Sequence, residues 1–349
     1  REVKGKTAFA EIDDVIEPSP DRIDPPCPYF GSCGGCDFMQ MNYQAQLDGK
    51  VAMIRDCIER IAKLKFEREI RVIESPEVLG YRLRAQWHAN TREHKIGYYR
   101  RNSRELIDIG KCPILLPDLQ TKLDQLRSDL PWGEFFSEKA QIDAACGDSG
   151  DVSVFSSELL EPTRDITFTA AGEKYFFSAR SFFQGNRYLI DDLVAAAIPD
   201  VRGRTALDLY CGVGLFTIPL ARRFETVIGV EENADAIEFA RRNSETAGLT
   251  NIQFHVDSVR DFLENAELEH VDFALLDPPR AGTEKDTMER LIGLSPPMVS
   301  YVACEPSILA RDLRRFADVG YRIETITAID LFPQTHHVET VSILKRDQI

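Results

Sequence analysis

The pattern of apolar and polar positions divides the chain into two halves of different character. In the C-terminal half, short apolar runs alternate with segments that have helical spacing. Apolar runs of this length are typical of strands buried on both faces of a parallel sheet. The alternation predicts a right-handed, doubly wound α/β sheet of Rossmann type, with ligands at the carboxyl ends of its strands. The predicted strands cover residues 205–210, 226–231, 252–256, 271–276 and 298–303.

The N-terminal half shows a mixed pattern that predicts a smaller α+β domain. Residues 39–64 have helical spacing, and residues 81–104 alternate like strands. Two more helices are predicted over 116–130 and 187–198. The apolar stripe of the first helix consists of Leu47, Val51, Ile54, Ile58 and Ile61.

Composition narrows the class of protein. With 349 residues, 43% of them hydrophobic and 28% charged, the chain resembles a globular protein of two or three domains. The net charge of −15 argues against indiscriminate nucleic-acid binding, so any RNA site must be local. Because no apolar run has membrane-spanning length and no signal-peptide pattern is present, we expect a cytoplasmic protein. The chain begins with Arg1, so we expect that an N-terminal piece is missing.

Eight cysteines in a cytoplasmic protein favour metal or catalytic roles over disulfides. Cys27, Cys33 and Cys36 lie in a C-x5-C-x2-C segment rich in glycine, and Cys112 is the best fourth thiolate. Four thiolates suit an iron-sulfur cluster or zinc. We favour iron-sulfur because one short knuckle with a distant fourth ligand is less typical of zinc; unliganded cysteines are the third alternative. The remaining cysteines in apolar surroundings are predicted to be small buried residues: Cys57, Cys146 and Cys211.

Residues 81–111 have a charge opposite to that of the whole chain. They hold eight Lys or Arg and three Asp or Glu, which gives a net charge of +5. Basic residues interleaved with aromatic ones, here Trp87, Tyr98 and Tyr99, indicate a phosphate-facing surface. A solvated strand face is the alternative. We favour the phosphate-facing surface because the four cysteines flank this segment on both sides.

A glycine turn follows the first predicted strand of the C-terminal half. Gly212 and Gly214 let the backbone bend tightly and leave no Cβ between the turn and a ligand. Glu231 ends the second strand, 19 residues after Gly212, where a carboxylate accepts hydrogen bonds from ribose hydroxyls. The turn therefore predicts a nucleotide-type pocket.

Other strand ends carry polar side chains. Asp257 follows the third strand and Cys304 follows the fifth. Asp277 follows the fourth, where the two prolines after it stiffen the backbone. Gln184 lies beside Phe182 and Phe183 and is a candidate polar contact. Carboxylates without a phosphate-cradling Gly-Lys-Ser/Thr loop suit S-adenosylmethionine better than NAD or ATP.

Three segments resemble the motifs of the RNA uracil-5-methyltransferase family. They are Asp-Pro-Pro-Arg at 277–280, the segment 301–313 around Cys304, and the segment 331–340. The four-cysteine arrangement is similar to that of the family's iron-sulfur members. The resemblance spans roughly residues 17–345 and implies S-adenosylmethionine, a 4Fe-4S cluster and methylation of a uridine carbon in ribosomal RNA or tRNA.

The resemblance also assigns roles to residues. Cys304 matches the family's nucleophile, and Glu339 matches its general base. Leu215 departs from the family, in which Asn is common at this position. The positions that match cofactor contacts are Gln184, Tyr210, Glu231 and Asp277, with Asp257 as a less certain addition.

The expected chemistry explains these residues. Uracil C5 is too weak a nucleophile to take a methyl group unaided, but thiolate addition of Cys304 to C6 places electron density on C5. Glu339 then removes the C5 proton. The uridine must be flipped out of its stack, and Phe182 or Phe183 is expected to stack on it. Residues expected to contact phosphate or base are Arg280, His336 and His337.

The resemblance predicts three parts of the chain. Residues 1–20 are expected to be a linker or at most the last strand of an N-terminal RNA-binding barrel. Residues 21–170 are expected to form the iron-sulfur-bearing, RNA-binding α+β domain, whose helix 39–64 packs on the catalytic part. Residues 171–349 are expected to form the Rossmann-like, class I methyltransferase domain.

Ribosomal RNA is the favoured substrate, and a tRNA loop is the alternative. No obligate protein partner and no membrane partner is indicated. Two other functions stay open: a redox or radical enzyme whose cluster performs the chemistry, and a non-catalytic RNA-binding factor on the same fold.

Overall fold

The computed structural model describes residues 2–5, 7–9, 12–158 and 163–346. The chain begins with β1 (Glu2–Lys4) and β2 (Thr7–Phe9), which pair antiparallel. This hairpin has two strands where we predicted at most one.

The first long helix is α1 (Tyr43–Cys57), and the side chain of Asn42 caps it by accepting a hydrogen bond from the backbone N–H of Ala45. A π-helical turn (Ile58–Ala62) continues it. The wider turn changes the helical period, so Ile61 is exposed whereas Ala62 is buried. The predicted stripe is therefore wrong at Ile61, although its other members are buried or half-buried.

The smaller sheet is antiparallel and has five strands in the order β6-β5-β4-β7-β8. Helix α2 (Pro117–Asp129) contacts β7 and β8, and a separate hairpin of β9 and β10 follows in the chain. The strand that precedes this sheet in sequence, β3, belongs to the larger sheet instead. The bounds are β3 (Arg71–Ile73), β4 (Arg84–Asn90), β5 (Lys95–Tyr99), β6 (Leu106–Asp108), β7 (Lys139–Cys146), β8 (Val152–Phe155), β9 (Ile166–Ala170) and β10 (Glu173–Phe177).

The larger sheet contains the five predicted strands, which are mutually parallel and confirm the predicted α/β sheet. Its strands are β11 (Gly203–Leu209), β12 (Phe224–Glu231), β13 (Ile252–Val256), β14 (Phe273–Leu276), β15 (Met298–Ala303), β16 (Tyr321–Ile329) and β17 (Glu339–Arg346). The order is β13-β12-β11-β14-β15-β17-β16-β3. The sheet is mixed, because β17 runs antiparallel between β15 and β16. Its helices are α3 (Ile190–Ala197), α4 (Thr217–Ala221), α5 (Ala234–Thr246), α6 (Val259–Asn265), α7 (Lys285–Leu294) and α8 (Pro306–Ala317).

Buried residues from both halves of the chain share the same cores. Ile54 and Ile58 pack in one cluster with Leu309 and Leu313 of α8. A second cluster joins the smaller sheet to the larger one. Burying each such side chain contributes about 1.5–3 kcal/mol. The N-terminal half thus packs against the larger sheet and its helices. No helix within the described ranges is long and apolar enough to cross a membrane.

Candidate active site

The side chains of Cys304 and Glu339 come together at the carboxyl end of β15. Ala303 pairs with Thr340 across the antiparallel β15–β17 ladder, so the same register sets Cys304 opposite Glu339. Burial and, after it, the Glu339 carboxylate together raise the pKa of Cys304 to about 11, although Arg280 opposes this rise. Glu339 is buried, and burial together with Asp277 raises its pKa well above the usual value. A thiol and a carboxyl group thus lie close together, with the Arg280 guanidinium near both.

Asp277 follows β14 and contacts Gln184 from the loop before α3. The Gln184 amide donates a hydrogen bond of 3.3 Å from Nε2 to Asp277 Oδ2. Burial raises the pKa of Asp277 to about 7, and the hydrogen bond from Gln184 opposes this rise. The structure therefore brings these two predicted cofactor contacts together, beside the Cys304–Glu339 pair.

The glycine turn after β11 has the left-handed conformations that its sequence predicts, with φ of +53° at Gly212 and +88° at Gly214. Tyr210 also has a positive φ of +67°, which is unfavourable for a residue with a Cβ and marks local strain. The Gly212 N–H donates to Glu231 Oε2 at 3.2 Å. The Asp257 N–H donates to the Glu231 carbonyl at 3.1 Å. The predicted cofactor contacts of β11, β12 and β13 thus lie side by side.

Sequence reasoning missed Asp208, a carboxylate inside the apolar run of β11. The Asp208 side chain is fully buried, and Oδ2 accepts a hydrogen bond from the Thr217 hydroxyl at 2.5 Å. Oδ1 has no partner. Burial raises the pKa of Asp208 to about 7, and the Thr217 hydroxyl opposes this rise. An acidic residue within a buried strand was the signal for it, because such a charge is costly without a function.

The four predicted metal ligands, Cys27, Cys33, Cys36 and Cys112, line one cavity together with Arg82. Burial raises the pKa of Cys36 to about 12 and that of Cys112 to about 11, and Arg82 lowers both. The thiol of Cys112 also raises the pKa of Cys36, so these sulfurs are near enough to repel as thiolates. Four thiol groups that face one cavity beside the Arg82 guanidinium can supply the four ligands of an iron-sulfur cluster. No group of three or more His, Cys, Asp or Glu residues in the described ranges has the arrangement of a metal site, so the cluster stays a prediction.

Comparison with known proteins identifies the family. The sequence model of the tRNA (Uracil-5-)-methyltransferase family matches residues 163–347, more than half of the chain. The 23S rRNA (uracil(1939)-C(5))-methyltransferase RlmD of Vibrio parahaemolyticus is 30% identical, over 99% of this chain and 87% of the relative. The Klebsiella pneumoniae protein of the same name is 31% identical, over 99% of this chain and 87% of that protein. The chain belongs to the RNA uracil-5-methyltransferase family.

A solved structure supports this assignment. The tRNA (uracil-54, C5)-methyltransferase of Pyrococcus abyssi, in complex with S-adenosyl-L-homocysteine, has a TM-score of 0.73 and 27% identity. The match covers 95% of this chain and 88% of that one. The chain is therefore an S-adenosylmethionine-dependent RNA uracil-5-methyltransferase by family.

Phe182 and Phe183 of this methyltransferase have different environments: Phe183 lies in the core, and Phe182 lies on the surface. Phe183 is buried and stacks on Phe177 with ring centroids 4.3 Å apart, so the prediction that it stacks on a base is wrong. Phe182 is 63% exposed, and the Arg84 guanidinium lies 5.7 Å from its ring centroid. Phe182 thus stays the candidate for stacking on a base.

The two histidines of the 331–340 segment differ in environment. Burial, with smaller contributions from Arg280 and His336, lowers the pKa of His337 to about 4, so His337 is neutral at neutral pH. A neutral imidazole ring cannot form an ion pair with a phosphate group. His336 is half-exposed, and its ring bonds Asp37. The expected roles of His337 and His336 in binding phosphate are therefore not favoured by the structure.

The basic segment of the methyltransferase is less available to RNA than its composition indicates. Arg92, Lys95 and Arg100 form ion pairs with nearby carboxylates. Arg82 lines the cysteine cavity, and Arg101 donates a hydrogen bond to the Cys36 carbonyl.

Among the other cysteines, Cys146 and Cys211 are buried as predicted, whereas Cys57 is only half-buried.

Proposed function

We propose that the chain methylates C5 of a uridine in 23S ribosomal RNA through a covalent bond between Cys304 and C6 of the base. The observation that carries the proposal is the register that sets Cys304 opposite the buried Glu339 at the carboxyl end of β15. The relatives named for 23S rRNA favour a ribosomal substrate. The tRNA-specific name of the Pyrococcus abyssi structure makes a tRNA T-loop uridine the second candidate.

The reaction begins when the Cys304 Sγ adds to C6 and the C5–C6 π electrons move onto C5 and O4. Arg280, which lowers the pKa of Cys304, favours the thiolate needed for this step. S-adenosylmethionine supplies the methyl group as a sulfonium. C5 attacks that methyl carbon, the methyl–sulfur bond breaks to release S-adenosyl-L-homocysteine, and C5 becomes tetrahedral. Glu339 removes the C5 proton, and the electrons of that bond restore the C5–C6 double bond as Cys304 leaves.

Glu339 must be ionised to act as a base, although burial favours its protonated form in the free protein. A raised pKa makes a carboxylate a stronger base once its proton has been lost, which suits abstraction from carbon. The enolate formed on the base spreads negative charge near Arg280, which faces both Cys304 and Glu339.

The methyl donor is proposed to lie across the ends of β11, β12, β13 and β14. Glu231 would accept hydrogen bonds from the ribose hydroxyls, and Asp257 would reach the adenine amino group. Gly212 allows close backbone approach at the turn. The remaining proposed contacts are Gln184, Tyr210 and Asp277.

The four thiols of Cys27, Cys33, Cys36 and Cys112 would hold a 4Fe-4S cluster with all four ligands from protein, which suits a structural role. Residues 21–170 would then be the cluster-bearing RNA-binding part, residues 171–349 the methyltransferase part, and residues 1–20 a remnant of an RNA-binding domain or a linker. Thiols held for a cluster are typical of a reducing, cytoplasmic compartment.

The test uses RNA fragments that contain 5-fluorouridine, together with S-adenosylmethionine. Fluorine at C5 cannot be removed as a proton, so the reaction stops with RNA bonded to Cys304. Mass spectrometry should detect this adduct with a 23S fragment, and Cys304→Ala should abolish it while Cys146→Ala retains it. An adduct with a tRNA T-loop alone would move the substrate to tRNA. No adduct with either RNA would refute the covalent mechanism and favour a non-catalytic RNA-binding factor.

A further inference from the structure

The segment 330–337 links β16 to β17 and leads directly to Glu339, yet residues of the N-terminal half hold it. Lys50 of α1 donates hydrogen bonds from Nζ to Asp330 Oδ1 at 2.5 Å and to the Phe332 carbonyl at 3.0 Å. The Tyr81 hydroxyl donates to the Pro333 carbonyl at 2.9 Å. The conformation of this segment therefore depends on residues more than 250 positions earlier in the chain.

Gln334 is the strained residue of this segment. Its φ is +72°, a left-handed conformation that costs a residue with a Cβ on the order of 1 kcal/mol or more. Gln46 of α1 is buried and exchanges two hydrogen bonds with Gln334: Gln46 Nε2 donates to Gln334 Oε1 at 3.1 Å, and the Gln334 N–H donates to Gln46 Oε1 at 2.9 Å. The strained conformation is held by these contacts.

Asp37, which directly follows Cys36, holds the next residues. The N–H groups of Asp37 and Phe38 donate to the Gln334 carbonyl at 3.1 and 3.0 Å. The Asp37 carboxylate accepts hydrogen bonds from the His336 backbone N–H at 2.9 Å and contacts its ring Nδ1 at 2.5 Å. The loop of the cysteine cavity thus ends in direct contact with the segment that precedes Glu339.

We infer that Asp37 and Gln46 are positioning residues for the proton-abstraction step, because they fix the segment from which β17 and Glu339 begin. The inference rests on the proposed function. Cys304 is placed differently: it follows β15, a central strand flanked by β14 and β17, and leads into α8. Loss of the Asp37 contacts should therefore misplace Glu339 while thiolate addition and methyl transfer continue.

The experiment compares two RNAs on the full-length protein. With 5-fluorouridine RNA, adduct formation requires Cys304 and the methyl donor but no proton abstraction. Asp37→Ala should form this adduct within about twofold of the wild-type rate, yet slow turnover of uridine RNA about tenfold or more, since a small misplacement of a reacting group has effects of this size. The methylated adduct with ordinary uridine RNA should accumulate, as it should in Glu339→Gln.

Two further variants decide between positioning and general structure. Asp37→Asn retains an oxygen acceptor for the His336 N–H and should recover much of the turnover. Asp48→Ala removes an exposed carboxylate of α1 that bonds only Gln44 among the described side chains, and it should behave as wild type. Equal slowing of adduct formation and turnover in Asp37→Ala, or no change in either, would refute the inference alone. Failure of the wild-type protein to form any adduct would refute the proposed function and this inference with it.

Discussion

Arg280 supplies a positive charge beside Cys304, Glu339 and His337. It lowers the pKa of Cys304, of Glu339 and of His337, so it opposes the effect of burial on both reactive groups. Arg280 adds to the burial that keeps His337 neutral, and in the proposed reaction its charge would stabilise the thiolate and the enolate.

Replacing Arg280 by Ala should raise the pKa of Cys304 above its present value of about 11, because the thiolate loses a favourable charge. The rate of Cys304 alkylation by iodoacetamide should fall about tenfold at neutral pH, which corresponds to one pKa unit. The rate should recover as the pH rises, so the whole pH profile moves to higher pH. Peptide mass spectrometry measures this rate.

Arg290→Ala is the matched control for Arg280→Ala. Arg290 lies on α7, and its partner is Glu264 on the surface. An unchanged pH profile in Arg280→Ala, or the same change in Arg290→Ala, would contradict the role given to Arg280.

Among the elements, α1 contacts the other half of the chain through a buried ion pair. The pair of Lys50 and Asp330 is 1% exposed at both side chains, and burial lowers the pKa of Lys50 while Asp330 raises it. Taking one partner away leaves a buried charge without compensation.

We expect Lys50→Met to lower the free energy of unfolding by about 3–5 kcal/mol, since the Asp330 carboxylate would be left unpaired. Urea denaturation measures this change. The double variant Lys50→Met with Asp330→Leu should recover a large part of the loss, because no buried charge remains. A double variant as unstable as the single one would show that packing, not charge, is the cause.

At the scale of elements, the sequence pattern predicted the features that depend on residues close together in the chain. The parallel strands and the helices α1, α2 and α3 follow from periodicity, and the strand ends predicted Asp277 and Cys304 as neighbours. The antiparallel place of β17 and the contact of Asp37 with His336 could not be predicted, because the latter joins residues 299 positions apart. Asp208 was missed because its apolar flanks made it look like part of an ordinary strand.

At the scale of the whole molecule, the cysteine cavity joins the loop of residues 27–36 to Cys112 and to Tyr98 of the smaller sheet. Purified protein should contain about four iron atoms per chain, as the proposed 4Fe-4S cluster requires. Cys36→Ala should lose most of this iron and its absorbance near 400 nm, whereas Cys146→Ala should keep both. Iron retained in Cys36→Ala, or zinc found in place of iron, would contradict the cluster assignment.

The position of β3 has a consequence for how this protein is divided. β3 pairs in parallel with β16 and forms the outer strand of the larger sheet on that side. A fragment that began at residue 163, where the family match starts, would leave the main-chain groups of β16 unpaired. Such an open edge invites strands from other molecules and therefore aggregation. The catalytic half is thus not self-contained: its sheet is completed by three residues that are synthesised before the smaller sheet.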